Sequence, residues 1–106
     1  MTNEAQQWED TKIRFPKGTA IDGTVVEVRA FGAFIEIADL PYRGILVITA
    51  IEDSERSLSE SDFPEVGTQV RAVVVGHRDS NRQLSISTRE SDMKRFDVAS
   101  PAEQKR

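Results

Sequence analysis

The sequence contains no cysteine and only one histidine, which excludes a disulfide framework, a thiolate metal site and a zinc centre built from histidines. Its longest uncharged apolar stretch, 44–51, is far shorter than the roughly 20 residues that span a bilayer, so no membrane-spanning helix is expected. No nucleophile is paired with a base at a suggestive spacing. We therefore expect no catalytic activity, no cofactor and no metal ion. Residues 1–10 lack the basic start and apolar run of a secretory signal, which favours a cytoplasmic location.

The charged residues are unevenly distributed along the chain. The formal net charge is −4, with acidic residues concentrated in 51–66 and the basic excess confined to 71–89. Because phosphate neutralisation dominates nucleic-acid affinity, an acidic chain of this kind is expected to bind nucleic acid only locally and weakly. The carboxylates of Glu52, Asp53 and Glu55 lack the glycine and the spacing of a calcium loop, which favours a solvated acidic loop.

The 106 residues are enough for one small domain. From Gly18 onward, short β-branched or alternating apolar runs bounded by turn residues predict an all-β fold. The predicted strands are 19–29, 31–38, 43–49, 69–77 and 83–88. A change of apolar phase between Val25 and Val28 predicts a bulge that coils the first strand and helps to close a barrel. We expect a five-stranded antiparallel barrel over 18–89, with an irregular connection or a short helical turn over 51–66.

The apolar side chains that point inward on these strands form the predicted core. Its members are Val25, Val28, Ala33, Ile35, Ile37, Leu46, Ile48, Val70, Val74, Leu84 and Ile86. Phe63 is expected to plug one end of this core. Outside the barrel, we expect a partly ordered extension over 1–17, in which Trp8 or Phe15 is the side chain able to dock. The tail, 90–106, is expected to form a short helix and then to be disordered.

Two aromatic residues, Phe31 and Phe34, lie close together in a predicted strand beside Gly32, which lets the backbone bend. Paired rings on an exposed sheet face are typical of a platform on which nucleobases stack. The same spacing also fits a strand in which one ring belongs to the core and the other covers a sheet edge. The residue pattern alone leaves both interpretations open.

Several short motifs in the correct order resemble the S-one RNA-binding domain family, named after the largest ribosomal small-subunit protein. They are Gly18, Gly23-x-Val25, Phe31-Gly32-Ala33-Phe34-Ile35, Gly44, Gly67-x-x-Val70 and Leu84-Ser85-Ile86-Ser87. The resemblance covers about residues 18–89. It implies an oligonucleotide-binding (OB) fold, a five-stranded Greek-key barrel whose second and third strands present the ligand face.

The resemblance also implies a set of residues that bind single-stranded RNA. Family members use two aromatic residues on the second strand, a histidine on the third, and an aspartate and an arginine around the turn before the last strand. In this sequence those positions are Phe31, Phe34, Val47, Asp79 and Gln83, so the histidine and the arginine are replaced. The strand before that turn is one residue longer than usual, which makes His77 a further candidate. Candidates for the missing phosphate contacts are Arg71, Arg78 and Arg82.

Two hypotheses of function follow, and they belong to different classes. The first is a non-catalytic module that binds single-stranded RNA weakly and without sequence preference, with bases on the aromatic pair and phosphates on nearby arginines. The alternative is a protein-interaction module that keeps the barrel but has lost most RNA affinity. Its partner would contact the acidic 51–66 loop or an apolar face made of Phe31, Phe34, Ile45 and Val47. The replacement of a ligand histidine by Val47 favours this alternative, whereas the surviving aromatic pair favours RNA.

Overall fold

The computed structural model describes residues 3–53 and 57–98. Helix α1 (Glu4–Arg14) precedes the strands and helix α2 (Glu90–Arg95) follows them. The five strands are β1 (Ala20–Arg29), β2 (Gly32–Ile37), β3 (Gly44–Val47), β4 (Gln69–Arg78) and β5 (Gln83–Ser87). Two single turns of 3-10 helix, Ile48–Ala50 and Glu60–Asp62, lie in the connection between β3 and β4. The predicted disorder at the end of the tail and the position of Glu55 lie outside the described residues.

The strands form a closed barrel in the order β1-β2-β3-β5-β4, which confirms the predicted all-β, five-stranded OB-fold architecture. One detail of the expectation is corrected, because β3 and β5 pair in parallel while the other four neighbouring pairs are antiparallel. A closed ring with an odd number of strands cannot alternate in direction throughout. One parallel pair is therefore unavoidable, and it lies where Gly44 pairs with Leu84.

The bulge predicted in β1 is confirmed, since the register between β1 and β2 shifts between Val25 and Glu27. A second shift lies in β4 between Val74 and Gly76. Both bends increase the local twist and help five short strands to close. Gly23 permits a close approach of β2, because a Cβ there would lie 2.5 Å from Ile35 Cγ2 and 2.7 Å from the Glu36 carbonyl oxygen.

The barrel interior contains most of the predicted core. Eight of the eleven predicted members are buried: Val25, Ala33, Ile35, Ile37, Leu46, Val74, Leu84 and Ile86. Val28, Ile48 and Val70 are instead half-buried at its margin, where they pack against the core. Ile48 differs because β3 ends at Val47 and the chain turns into 3-10 helix. Phe63 is buried in the core cluster, in agreement with its expected role.

Helix α1 packs against the barrel through Trp8, which is 3% exposed and belongs to the core cluster. Asn3 caps the start of this helix, because its side chain accepts a hydrogen bond from the Gln6 backbone N–H at 2.7 Å. The helix ends before Phe15, since the following Pro16 disfavours helical backbone at that position. The docking of Trp8 places α1 beside the β4–β5 hairpin.

Candidate nucleic-acid interface

The aromatic pair lies at the turn between β1 and β2. Arg29 pairs with Gly32, so Phe31 projects from the tight connection between the strands, while Phe34 lies within β2. Their ring centroids are 6.0 Å apart with an interplanar angle of 84°, an edge-to-face contact. Phe31 is 59% exposed and Phe34 is half-buried. The pair therefore presents one exposed ring, that of Phe31, which packs edge-to-face against the half-buried ring of Phe34.

Two arginines that the charge distribution along the sequence did not single out lie in this region, Arg43 beside the Phe34 ring and Arg29 next to the turn that carries Phe31. The Arg43 guanidinium carbon lies 6.0 Å from the centroid of the Phe34 ring, within the range of a cation–π contact. Glu27 is the cross-strand partner of Phe34, and its carboxylate forms ion pairs with Arg29 and, at 3.7 Å, with Arg43. The change of apolar phase between Val25 and Val28 is the sequence signal that could have predicted this group. The bulge that it indicates places Glu27 opposite Phe34.

The apolar face proposed from the sequence for a protein partner is smaller than expected. Ile45 is only 2% exposed, so its assignment to that face is wrong. The physical reason is the neighbouring Gly32, since a Cβ there would lie 3.4 Å from the Ile45 side chain. Ile45 therefore fills the space that the glycine leaves. Val47 pairs with Gly32 and is half-buried against the core.

Helix α1 and the adjoining Phe15 contact three of the predicted site residues on the β4–β5 hairpin, His77, Asp79 and Arg82. Trp8 Nε1 and Lys12 Nζ each donate to Asp79 Oδ1 at 2.8 Å. His77 Nε2 lies 2.7 Å from the Phe15 carbonyl oxygen, and Arg82 forms an ion pair with Glu4 at 3.3 Å. The hydrogen bonds from Lys12 and then Trp8 lower the pKa of Asp79.

The remaining predicted site residues differ in their environment. Arg71 forms a bidentate ion pair with Asp22, its cross-strand partner, with hydrogen bonds of 2.9 and 3.1 Å. These hydrogen bonds lower the pKa of Asp22. Arg78 is exposed at the end of β4. Gln83, opposite Arg78, is half-buried, and within the described part of the chain its Oε1 accepts no hydrogen bond.

The predicted site residues lie on two different hairpins, with β3 between them in the strand order. On one side of β3, Ile45 pairs with Phe34 and Val47 pairs with Gly32. On its other side, Gly44 pairs with Leu84 and Ile45 pairs with Ser85. The aromatic pair therefore belongs to the β1–β2 hairpin, and His77, Asp79 and Arg82 belong to the β4–β5 hairpin. Arg71 lies apart from both groups, on the β1–β4 pair.

The acidic connection supplies a structural contact in its described part. Asp53 accepts hydrogen bonds from the backbone N–H and the hydroxyl of Ser91 at 2.8 and 2.6 Å, and from Arg89 at 3.0 Å. The Ser91 hydroxyl is the largest of the causes that lower the pKa of Asp53. This carboxylate holds the start of α2 against the barrel. Across residues 3–53 and 57–98, three or more metal-ligating side chains nowhere converge.

None of the helices within the described ranges has the length and apolar composition needed to cross a membrane.

A profile of the S1 RNA binding domain family, the S-one family named above, matches residues 14–89. The chain is 35% identical over 80 residues to the small ribosomal subunit protein bS1 of Staphylococcus epidermidis, covering 76% of this chain and 20% of that protein. It is also 30% identical over 83 residues to a 4-hydroxy-3-methylbut-2-enyl diphosphate reductase of Clostridium tetani, covering 78% of this chain and 13% of the reductase.

Solved structures show the same barrel. Mycoplasma genitalium RNase R in complex with ribose methylated single-stranded RNA superposes with a TM-score of 0.62 at 13% identity, over 78% of this chain and 14% of RNase R. This likeness shows a shared fold. The chain spans only 13–20% of the length of the curated relatives described above, so it corresponds to one module of those larger proteins.

Proposed function

This chain belongs to the S1 RNA binding domain family, and this membership supports a role in binding nucleic acid. We propose that the chain binds single-stranded RNA without catalysing a reaction. The observation that carries the proposal is the exposed Phe31 ring, 59% accessible and supported edge-to-face by Phe34. A large apolar ring that projects from a hairpin turn buries its exposed face when another planar group stacks on it. An unpaired nucleobase is such a group.

The expected binding is weak and tolerant of sequence. Stacking on an aromatic side chain contributes about 1–3 kcal/mol per base and does not depend strongly on the base. The aromatic pair offers only one freely exposed ring, and the chain carries a net charge of −4, which opposes the approach of a polyanion. We expect the aromatic pair to position one or two bases while nearby arginines contact the phosphates.

The other predicted residues enter this proposal under different conditions. Val47 lies beside the aromatic pair and would border a stacked base, and exposed Arg78 is available to a phosphate. Asp79 and Arg82 have exposed side chains, so RNA there would compete with the contacts that they make to Lys12 and Glu4. A contact from the His77 Nε2 would require it to leave the Phe15 carbonyl oxygen, and a contact from Arg71 would require it to leave Asp22. Gln83, which stands at the position of the family's arginine, is proposed to contribute only a side-chain amide.

The cleanest test is Phe31→Ala, because this ring is exposed and its removal leaves the core intact. Affinity for a fluorescent, unstructured ten-nucleotide RNA, measured by anisotropy, should fall by about 1–3 kcal/mol. Phe34→Ala should weaken binding as well, with a small loss of stability because that ring is half-buried. Val66→Ala is the matched control, since Val66 is 63% exposed and lies outside the proposed interface.

Unchanged RNA affinity in both phenylalanine variants, with the barrel still folded, would contradict the proposal. Negligible affinity of the unaltered protein at low salt would do the same and would favour the protein-interaction alternative. That alternative now rests on Phe31, Phe34 and Val47 without Ile45, or on the acidic connection. A cytoplasmic location remains a prediction from the sequence.

A further inference from the structure

The carboxylate of Glu27 occupies a distinctive place beside the aromatic pair. It forms ion pairs with both Arg29 and Arg43, and Arg43 in turn lies over the Phe34 ring. All three charged side chains are accessible: Glu27 is 34% exposed, Arg29 62% and Arg43 51%. A single anion thus pairs with two cations, one of which contacts the Phe34 ring, on a surface that solvent and solutes can reach.

We propose that Glu27 stands in the place of an RNA phosphate, and that RNA binds by displacing it from Arg29 and Arg43. This inference rests on the proposed function and adds to it the residues that contact the backbone. In this arrangement the two arginines are the principal phosphate contacts. Glu27 is an internal competitor that lowers the affinity of the site.

Geometry supports this exchange. In a nucleotide the phosphate lies next to its own base, so a base stacked on the aromatic pair brings its phosphate to the border of the rings. The border here is formed by Arg43, 6.0 Å from the Phe34 centroid, and by Arg29, which adjoins the turn that carries Phe31. A guanidinium binds phosphate oxygens with the same planar donor geometry that it offers a carboxylate.

The energetics also favour exchange over a permanent ion pair. Exposed ion pairs are weak because water screens them, so Glu27 is readily displaced by a polyanion. Displacement nevertheless lowers the affinity for RNA. With Glu27 present, the cluster of Arg29, Arg43 and Glu27 carries one net positive charge, whereas the two arginines alone would carry two. The bulge at Val25/Glu27 fixes this arrangement, because it brings Glu27 into register with Phe34.

Glu27→Gln is the direct test, because glutamine keeps the size of the side chain and removes its charge. Affinity for the ten-nucleotide RNA at low salt should rise about two- to five-fold, the range expected for removing one exposed ion pair. The slope of log affinity against log salt should steepen, as more cationic charge becomes available to the RNA. Glu36→Gln is the matched control, since Glu36 is also exposed on β2 and its replacement changes the net charge equally. Its effect should be much smaller.

A second comparison separates competition from a general charge effect. In an Arg29→Gln/Arg43→Gln background, affinity should fall and the gain from Glu27→Gln should disappear. Equal gains from Glu27→Gln and Glu36→Gln would overturn the inference, as would a loss of affinity in Glu27→Gln, which would mean that Glu27 positions the arginines for binding. If Phe31→Ala weakens RNA binding while Glu27→Gln has no effect, only this inference fails. If no variant binds RNA, the proposed function fails with it.

Discussion

Individual core positions carry much of the stability of this barrel. Ile35 has no exposed surface and lies in the middle of β2. Ile35→Ala should lower the free energy of unfolding by about 2–5 kcal/mol, because it removes buried methylene groups and leaves a cavity. Urea unfolding followed by circular dichroism measures this change.

Ile13→Ala provides the matched control for that experiment, since Ile13 is 76% exposed on α1. Its effect should stay within about 0.5 kcal/mol, as for other surface substitutions. A loss of similarly small size for Ile35→Ala would show that the inward and outward faces of β2 have been assigned the wrong way round.

Among the elements, α1 is held to the β4–β5 hairpin by a contact that depends on pH. Hydrogen bonds from Lys12 and Trp8 lower the pKa of Asp79, so the ionised carboxylate stabilises docking above the ordinary aspartate pKa. That contribution is lost as the pH falls below about 4 and through the lowered pKa. We expect α1 to loosen in this range. Trp8 is the only tryptophan, so a red shift of its emission reports the change directly.

Asp79→Asn is the control for this titration, because it removes the charge and keeps an oxygen that can accept hydrogen bonds. In that variant the emission of Trp8 should already be shifted at neutral pH and should change less on acidification. Circular dichroism recorded in parallel separates undocking of α1 from unfolding of the barrel, since other aspartates with lowered pKa, Asp22 and Asp53, also lose their charge. An identical acid transition in both proteins would contradict the assignment to Asp79.

The elements also show how far the sequence predicts the structure. Strand positions, the β1 bulge and eight core residues follow from local alternation, which each strand carries within a few residues. The contacts of α1 do not, because Trp8 and Asp79 are brought together only by tertiary packing. Likewise, Glu27, Phe34 and Arg43 come from three different parts of the chain. Their proximity depends on strand register, which the sequence indicates only through the bulge.

At the scale of the whole molecule, RNA binding should be only modestly sensitive to salt, because few cations of this chain are expected to contact phosphates. Each phosphate neutralised on a single strand contributes about −0.7 to the slope of log affinity against log salt. Two contacts, from Arg29 and Arg43, predict a slope near about −1.4 by the same relation. Anisotropy titrations between low and physiological salt measure it.

A slope twice as steep would indicate that hairpin arginines such as Arg78 and Arg82 also contact phosphates. This would require α1 to release Arg82 from Glu4. A slope indistinguishable from zero, with binding retained, would contradict phosphate contact altogether and would leave stacking as the only interaction.

The parallel pairing of β3 with β5 has a consequence for the time course of folding. The β1–β2 and β4–β5 pairs join neighbouring segments and can form early, whereas β3 meets β5 only after the whole intervening connection and β4 have been brought round. Closing such a loop costs chain entropy, and the contacts that compensate for this cost form only afterwards. The β1–β4 pair joins segments that are still farther apart along the chain. We expect the pairs of consecutive strands to form first and the two long-range pairs, β1–β4 and β3–β5, to form last, so that closure of the ring limits the rate at which the protein reaches its native state.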